Sequence, residues 1–246
     1  MKKDSEVEDC CMELKKTDSE FVEFFNKFAC EEVVIQTQLD TKTRWMSILA
    51  TLLGCQGVDE FKIILPKALK DLTPIEIKEI IYQAVAYLGI GRVYPFLVAT
   101  NVIFEQNGIK LPLENQSNTT EKTRLEKGVQ AQVDIFGDGM KEFYKSGPKE
   151  TVHINRWLAA NCFGDYYTRN GLDYRQRELV TFCYISAQGG CEPQLTAHAL
   201  ANLKVGNSKE ILINIVSAMI PYIGYPRSLN ALNCVQNASK EFEERK

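Results

Sequence analysis

Two short signatures each occur twice in this 246-residue chain, in the same order and at nearly the same offset. Leu39-Asp40-Thr41-Lys42-Thr43-Arg44 matches Leu172-Asp173-Tyr174-Arg175-Gln176-Arg177, 133 residues later. Tyr87-Leu88-Gly89-Ile90-Gly91-Arg92 matches Tyr222-Ile223-Gly224-Tyr225-Pro226-Arg227, 135 residues later. An apolar helical pattern follows the first signature in each half, and another precedes the second. Two unrelated helical hairpins would give one such match by chance, but hardly two in register. The chain therefore reads as two tandem copies of one helical-bundle unit, each covering the other's apolar face. The first copy spans 1–112 and the second 124–246, with a polar, aperiodic linker at 113–123.

Within the copies the periodicity is helical. Ile75, Ile77, Ile80, Ile81, Ala84, Val85 and Leu88 recur at spacings of three and four, as do Ile211, Leu212, Ile215, Val216 and Met219. No segment alternates as a strand does, so the fold class is all-α. Asp18-Ser19-Glu20 starts an amphipathic helix through Phe21, Phe24, Phe25 and Phe28. Thr73-Pro74-Ile75-Glu76 supplies an N-cap hydroxyl, a first-position proline and an acid in the first turn. Asp173 caps a helix running from Tyr174 to about Ala187, which Gly189-Gly190 ends. Glu192-Pro193 opens the next, which stops near Gly206. The span from Arg124 to Tyr167 is helical again.

Composition narrows the function. Lys and Arg total 29 against 32 Asp and Glu, a net charge of −3. Without a basic excess to neutralise phosphates, no nucleic-acid partner is expected. No apolar run reaches the ~18–20 residues of a membrane span, and the charged start Met1–Glu6 lacks the apolar core of a secretory signal. Of eight cysteines (Cys10, Cys11, Cys30, Cys55, Cys162, Cys183, Cys191 and Cys234), several lie in apolar stretches and none forms Cys-x-x-Cys. That pattern fits buried thiols in a reducing cytoplasm. With no Cys-x-x-Cys and only His153 and His198 as histidines, no structural metal site is expected.

The copies differ chemically. Glu178 and His198 of the second correspond, at an offset of 133, to Trp45 and Leu65 of the first, and Cys191 corresponds to Val58. An ionisable pair kept once and greased once marks the second copy as the holder of a site. Glu178 lies near the start of an otherwise very apolar helix. Gln194 precedes His198 by four residues and shares its face. Cys191 stands at the mouth of that helix, where the dipole favours a thiolate. The plain alternatives are that Glu178 serves its helix end or pairs with Arg177, that His198 is a satisfied structural histidine, and that Cys191 is a packed small residue. Tyr166 and Tyr167 default to aromatic core, and His153 to the surface.

The run Arg177-Glu178-Leu179-Val180-Thr181, then Gly189-Gly190-Cys191-Glu192-Pro193-Gln194-Leu195-Thr196-Ala197-His198, Gly206-Asn207 and Tyr222–Arg227 resembles the carboxymuconolactone decarboxylase family, as does the lead-in Phe163–Arg169. The first copy resembles it more weakly, through Arg44, Thr73–Glu76 and Tyr87-x-Gly89. The resemblance implies helical units assembled into rings, so a homo-oligomer is expected: a trimer with pseudo-hexameric packing, or a dimer. It also implies a small-molecule substrate and one of two chemistries. One is cofactor-free decarboxylation of a lactone acid, with His198 as general acid/base, Glu178 its partner, and Arg177 or Arg227 holding a substrate carboxylate beside Gln194 and Tyr222. The other is peroxide reduction by an alkylhydroperoxidase-type cysteine pair relayed through Glu and His. The chain departs from that second pattern, because Gln194 stands three residues after Cys191 and the resolving thiol is missing; Cys183 and Cys55 are the conceivable substitutes. A non-catalytic ligand-binding member is the third reading.

Overall fold

Caps and breakers written into the sequence set the helix ends, and the residues described by this computed structural model, 12–244, contain helices and no strand. Cys10 and Cys11, and the charged start Met1–Glu6, lie outside the described residues. The helices are α1 Ser19–Asn26, α2 Val33–Thr37, α3 Thr41–Cys55, α4 Val58–Ala68, α5 Pro74–Leu88, α6 Ile90–Gln106, α7 Arg124–Phe136, α8 Val152–Trp157, α9 Tyr174–Gln188, α10 Glu192–Lys204 and α11 Lys209–Glu244. π-helical segments follow α1 (Lys27–Glu32) and α8 (Leu158–Tyr167).

Thr73 and Glu76 form a reciprocal capping box at α5, with Pro74 at the first helical position. Asp173 and Gln176 do the same at α9, and the Asp40 carboxylate accepts from the Thr43 amide at α3. Gly89 separates α5 from α6 with φ of 77°, and Gly224 interrupts α11 at the corresponding place with φ of 72°. Only glycine takes this conformation without strain. The order of elements thus recurs: α3, α4, α5 and α6 run parallel in sequence to α9, α10 and the two halves of α11, and a π-helical segment lies ahead of each series.

The halves share one hydrophobic core. α3 crosses α9, and Leu49, Leu53 and Ile81 pack in the same cluster as Val180, Phe182 and Ile215. The crossing is close because Gly54 offers no side chain: a Cβ there would lie 2.6 Å from the Tyr184 carbonyl oxygen. A smaller cluster of Ala131, Ile135, Cys162, Phe163, Tyr167 and Ala201 is drawn from the second half, with Ala86 and Tyr87 of α5 packed against it.

Three local expectations change. In α1, Val22 is buried while Phe21 and Phe24 are exposed and Phe25 and Phe28 half-buried. The helix is two turns long, and its aromatic rings pack on one another instead, Phe21 and Phe24 edge-on at 5.3 Å. The span 124–167 is not one helix, because Gly137 (φ 101°) stops α7 and helix resumes at Val152. The linker is extended but anchored: Asn118 Nδ2 donates to the Thr168 carbonyl and to Asn170 Oδ1, and Thr119 Oγ1 donates to the Gly164 carbonyl.

Glycines also seat α7 against the Leu158–Tyr167 segment, backbone to backbone. A Cβ on Gly128 would lie 1.9 Å from the Ala159 carbonyl oxygen, and one on Gly164 would lie 2.1 Å from that of Arg124. Neither backbone can yield without parting the two elements. Gly128→Ala is expected to cost about 3 kcal/mol or more, read as a lower urea midpoint. A variant as stable as the parent would mean that the two helices are not held at this separation.

Candidate active site

Glu178 is the fifth residue of α9 and His198 the seventh of α10, and the glycine turn after α9 folds the two helices side by side. His198 Nδ1 lies 2.8 Å from Glu178 Oε2. Asn202 fixes this level of the helix pair, its Nδ2 donating to the backbone carbonyls of both Glu178 (2.9 Å) and His198 (2.8 Å). Asn207 Nδ2 in turn donates to Asn202 Oδ1. Glu178 is fully buried, whereas the His198 side chain keeps 11% of its surface.

The other carboxylate oxygen, Oε1, accepts from the Tyr167 hydroxyl at 2.9 Å. The hydroxyls of Thr181 and Tyr87 both lie 2.8 Å from the Tyr167 oxygen, and Gln83 Nε2 donates to Thr181 Oγ1 at 2.8 Å. Tyr167 has one proton, and it goes to the carboxylate; Tyr167 then accepts from Thr181 and Tyr87. Burial pushes both tyrosines well above the usual phenol range, and the nearby Glu178 charge adds to the rise. Burial also pushes the Cys162 thiol up to about 12, against the lowering effect of its hydrogen bond to the Tyr87 oxygen. These groups are therefore neutral donors at pH 7, and every proton in the network is directed toward Glu178.

That direction sets the imidazole tautomer. An acceptor-only carboxylate facing Nδ1 requires Nδ1–H, which makes Nε2 the chemically active nitrogen of the neutral ring. No described group bonds Nε2. Tyr87 and Phe136 hold the ring edge-on, each at 5.5 Å. An open cleft of about 570 Å3 borders Tyr167, with Lys127, Gln130, Arg169 and Tyr174 on its walls.

The remaining candidates scatter. Cys191 is the N-cap residue of α10, seven residues and about 10 Å of helix rise from His198. Its half-buried Sγ accepts from Gln188 Nε2 at 3.2 Å. Arg227 shares a small crevice with Cys191 and donates from Nη1 to the Ala187 carbonyl at 2.6 Å. Gln194 is exposed, and Tyr222 packs on the shared core. His153 is exposed, edge-on to Trp157 at 4.7 Å. Cys55, Cys162, Cys183, Cys191 and Cys234 carry no disulfide, and no group of three or more metal-binding side chains occurs among the described residues.

The residues that complete the site were not foreseen. Tyr167, Thr181 and Asn202 meet Val34, Ile48 and Leu69 at the same offset of 133, so the loss of polarity that marked Glu178 and His198 also marks these three. Tyr87 escapes that comparison because tyrosine recurs as Tyr222. In the first half the vacated positions are structural: Leu65 is core, and Trp45 Nε1 donates to Asp71 Oδ2 at 2.9 Å.

Residues 153–237, which carry all of this except the contributions of α5 and α7, match the carboxymuconolactone decarboxylase family. Over the whole chain the fold is similar to the crystal structure of a protein from Burkholderia xenovorans LB400 assigned as a gamma-carboxymuconolactone decarboxylase subunit. The TM-score is 0.53, with 19% identity, over 94% of this chain and 91% of that one. No curated protein matches the sequence. No described helix is long and apolar enough to cross a membrane.

Arg177, expected to hold a substrate carboxylate, is instead enclosed and already occupied. Its Nη1 donates to Gln83 Oε1 at 2.8 Å, and its Nη2 to Glu79 Oε2 at 3.2 Å and to the Arg169 carbonyl at 2.8 Å. Burial lowers its pKa while the Glu79 charge holds it up. Arg177→Met leaves Glu79 and Gln83 facing an apolar chain and is expected to destabilise the fold by about 3 kcal/mol. A variant with an unchanged urea midpoint would return Arg177 to the list of substrate ligands.

Proposed function

We propose that this chain catalyses cofactor-free acid/base chemistry on a small lactone or carboxylic acid, with decarboxylation as the reaction type. The observation that carries this reading is the 2.8 Å contact between Glu178 and His198, with the Tyr167 proton directed into the same carboxylate. Decarboxylation breaks the bond between the carboxyl carbon and its neighbour, releases CO2 and leaves the electron pair on that neighbour, delocalised into the lactone carbonyl. A proton must then reach the carbon. His198 in its imidazolium form delivers it from Nε2, and the Glu178 carboxylate across Nδ1 stabilises that form. Water restores the proton, so one proton is consumed per CO2 released. The family match and the assignment of the Burkholderia protein support the reading.

Incubated with gamma-carboxymuconolactone, the parent chain is expected to release CO2. His198→Gln should lower turnover by about a thousandfold while moving Tm by no more than about 3 °C. Equal turnover by the variant removes His198 from the mechanism. Saturable binding of the lactone without turnover would favour a ligand-binding role.

A peroxidase reading rests on different atoms. Cys191 is half-exposed at a helix N-terminus, with an amide donor on its sulfur. Mild peroxide followed by thiol titration should then oxidise the parent and spare Cys191→Ala, read by peptide mass so that Cys10 and Cys11 are counted apart. An inert Cys191 ends that reading.

The tandem organisation also supports self-assembly. Ile90, Tyr94, Val98 and Val102 form an exposed stripe along α6, and Tyr225 and Leu229 expose the corresponding face of α11. A second copy of the chain is the partner we assign to this face.

A further inference from the structure

Beside α5 lies a cavity of about 220 Å3 that shares no lining residue with the Glu178–His198 pair. Lys78, Glu79 and Tyr82 form one wall, the linker residues Leu113 and Glu114 another, and Arg169 a third. Its charged groups are unevenly paired. The Glu79 carboxylate is already taken by Arg169, whose Nε donates to both oxygens at 2.9 and 3.0 Å, and by Arg177. Lys78 is 6% exposed, and its ammonium meets only neutral groups: the amide oxygen of Asn101 and the rings of Tyr82 and Phe104 at 5.8 and 5.7 Å. Burial pushes the Lys78 pKa down, and no carboxylate offsets that push. Glu114 is exposed on the rim. Of the four charged side chains that line the cavity, Lys78, Glu79, Glu114 and Arg169, Lys78 is the buried one with no ion-pair partner among the described residues, and a buried cation ordinarily has a counter-charge.

We propose that this cavity binds a small planar organic carboxylate, its anionic end at Lys78 and Arg169 and its body between the Tyr82 ring and Leu113. The volume equals about seven waters at ~30 Å3 each, which suits a one-ring acid. The cavity has neither Glu178 nor His198 in its lining, although Arg169 also borders the cleft beside Tyr167. The sequence comparison sets it apart as well: Lys78 and Glu79 correspond to Ile213 and Asn214 in the other half, so the charge belongs to one copy only.

The test is thermal denaturation of the full chain with benzoate, its neutral isostere benzamide, or inorganic phosphate. Benzoate at saturation should raise Tm by about 4 °C in the parent and equally in His198→Gln, and benzamide should not. Lys78→Met removes the charge and Leu113→Trp fills the cavity; each should weaken benzoate by about tenfold or more. Leu113→Trp carries the test if Lys78→Met does not fold. No shift in the parent, an equal shift with benzamide or phosphate, or a shift that survives both cavity variants would overturn the proposal. Loss of the shift in His198→Gln would place the anion at the other site and overturn it too.

Discussion

A single buried carboxylate organises the polar interior. Glu178 has no solvent, and a carboxylate without solvent must find donors or be protonated. The fold supplies Tyr167 on one oxygen and His198 on the other, and Tyr167 is in turn held by Thr181 and Tyr87. Because each hydroxyl has one proton to give, the direction of the whole network follows from the one member that can only accept. The imidazole's orientation, and which of its nitrogens is available, are consequences of that.

The two halves contribute unequally. The half without the ionisable pair is the apolar half of a common core, and α3 and α5 place it against α9. Yet α5 also lends Glu79, Gln83 and Tyr87 to the other half's polar interior. Glu79 and Gln83 neutralise and fix Arg177, Gln83 also holds Thr181, and Tyr87 reaches Tyr167 and the edge of His198. A lone copy of the second half would carry Glu178 and His198 but would leave Arg177 without Glu79 and Gln83, with only the Arg169 and Asn170 carbonyls to accept from it. The halves are separable as a pattern in sequence and joined as a physical object.

Much of the scaffold was legible. Thr73 with Glu76, Asp173 with Gln176, and the glycines at 89, 189 and 224 act locally, within one turn of chain, so their effects can be read without knowing what packs nearby. The Glu178–His198 pair was legible for a different reason. The chain offers its own comparison, because at the matching positions of the first signature stand Trp45 and Leu65, and the ionisable pair stands out against them. Arg177 misled because arginine stands in both copies, so the comparison could not separate a structural arginine from a ligand. Cys191 stands apart from the pair because a helix carries seven residues about 10 Å along its axis.

The sequence by itself determined the helices, most of their ends, the recurrence of two signatures and the ionisable pair that stands in only one of them. Those follow from local backbone preferences and from a comparison internal to the chain. Only the tertiary structure decided that Tyr87 and Gln83 cross from one half into the other, that Arg177 is sealed among them, and that Lys78 is buried without a counter-charge. Each of these depends on contacts between residues 80 to 100 positions apart or on the shape of a cavity, and neither separation nor shape is encoded in the spacing of residues along one helix.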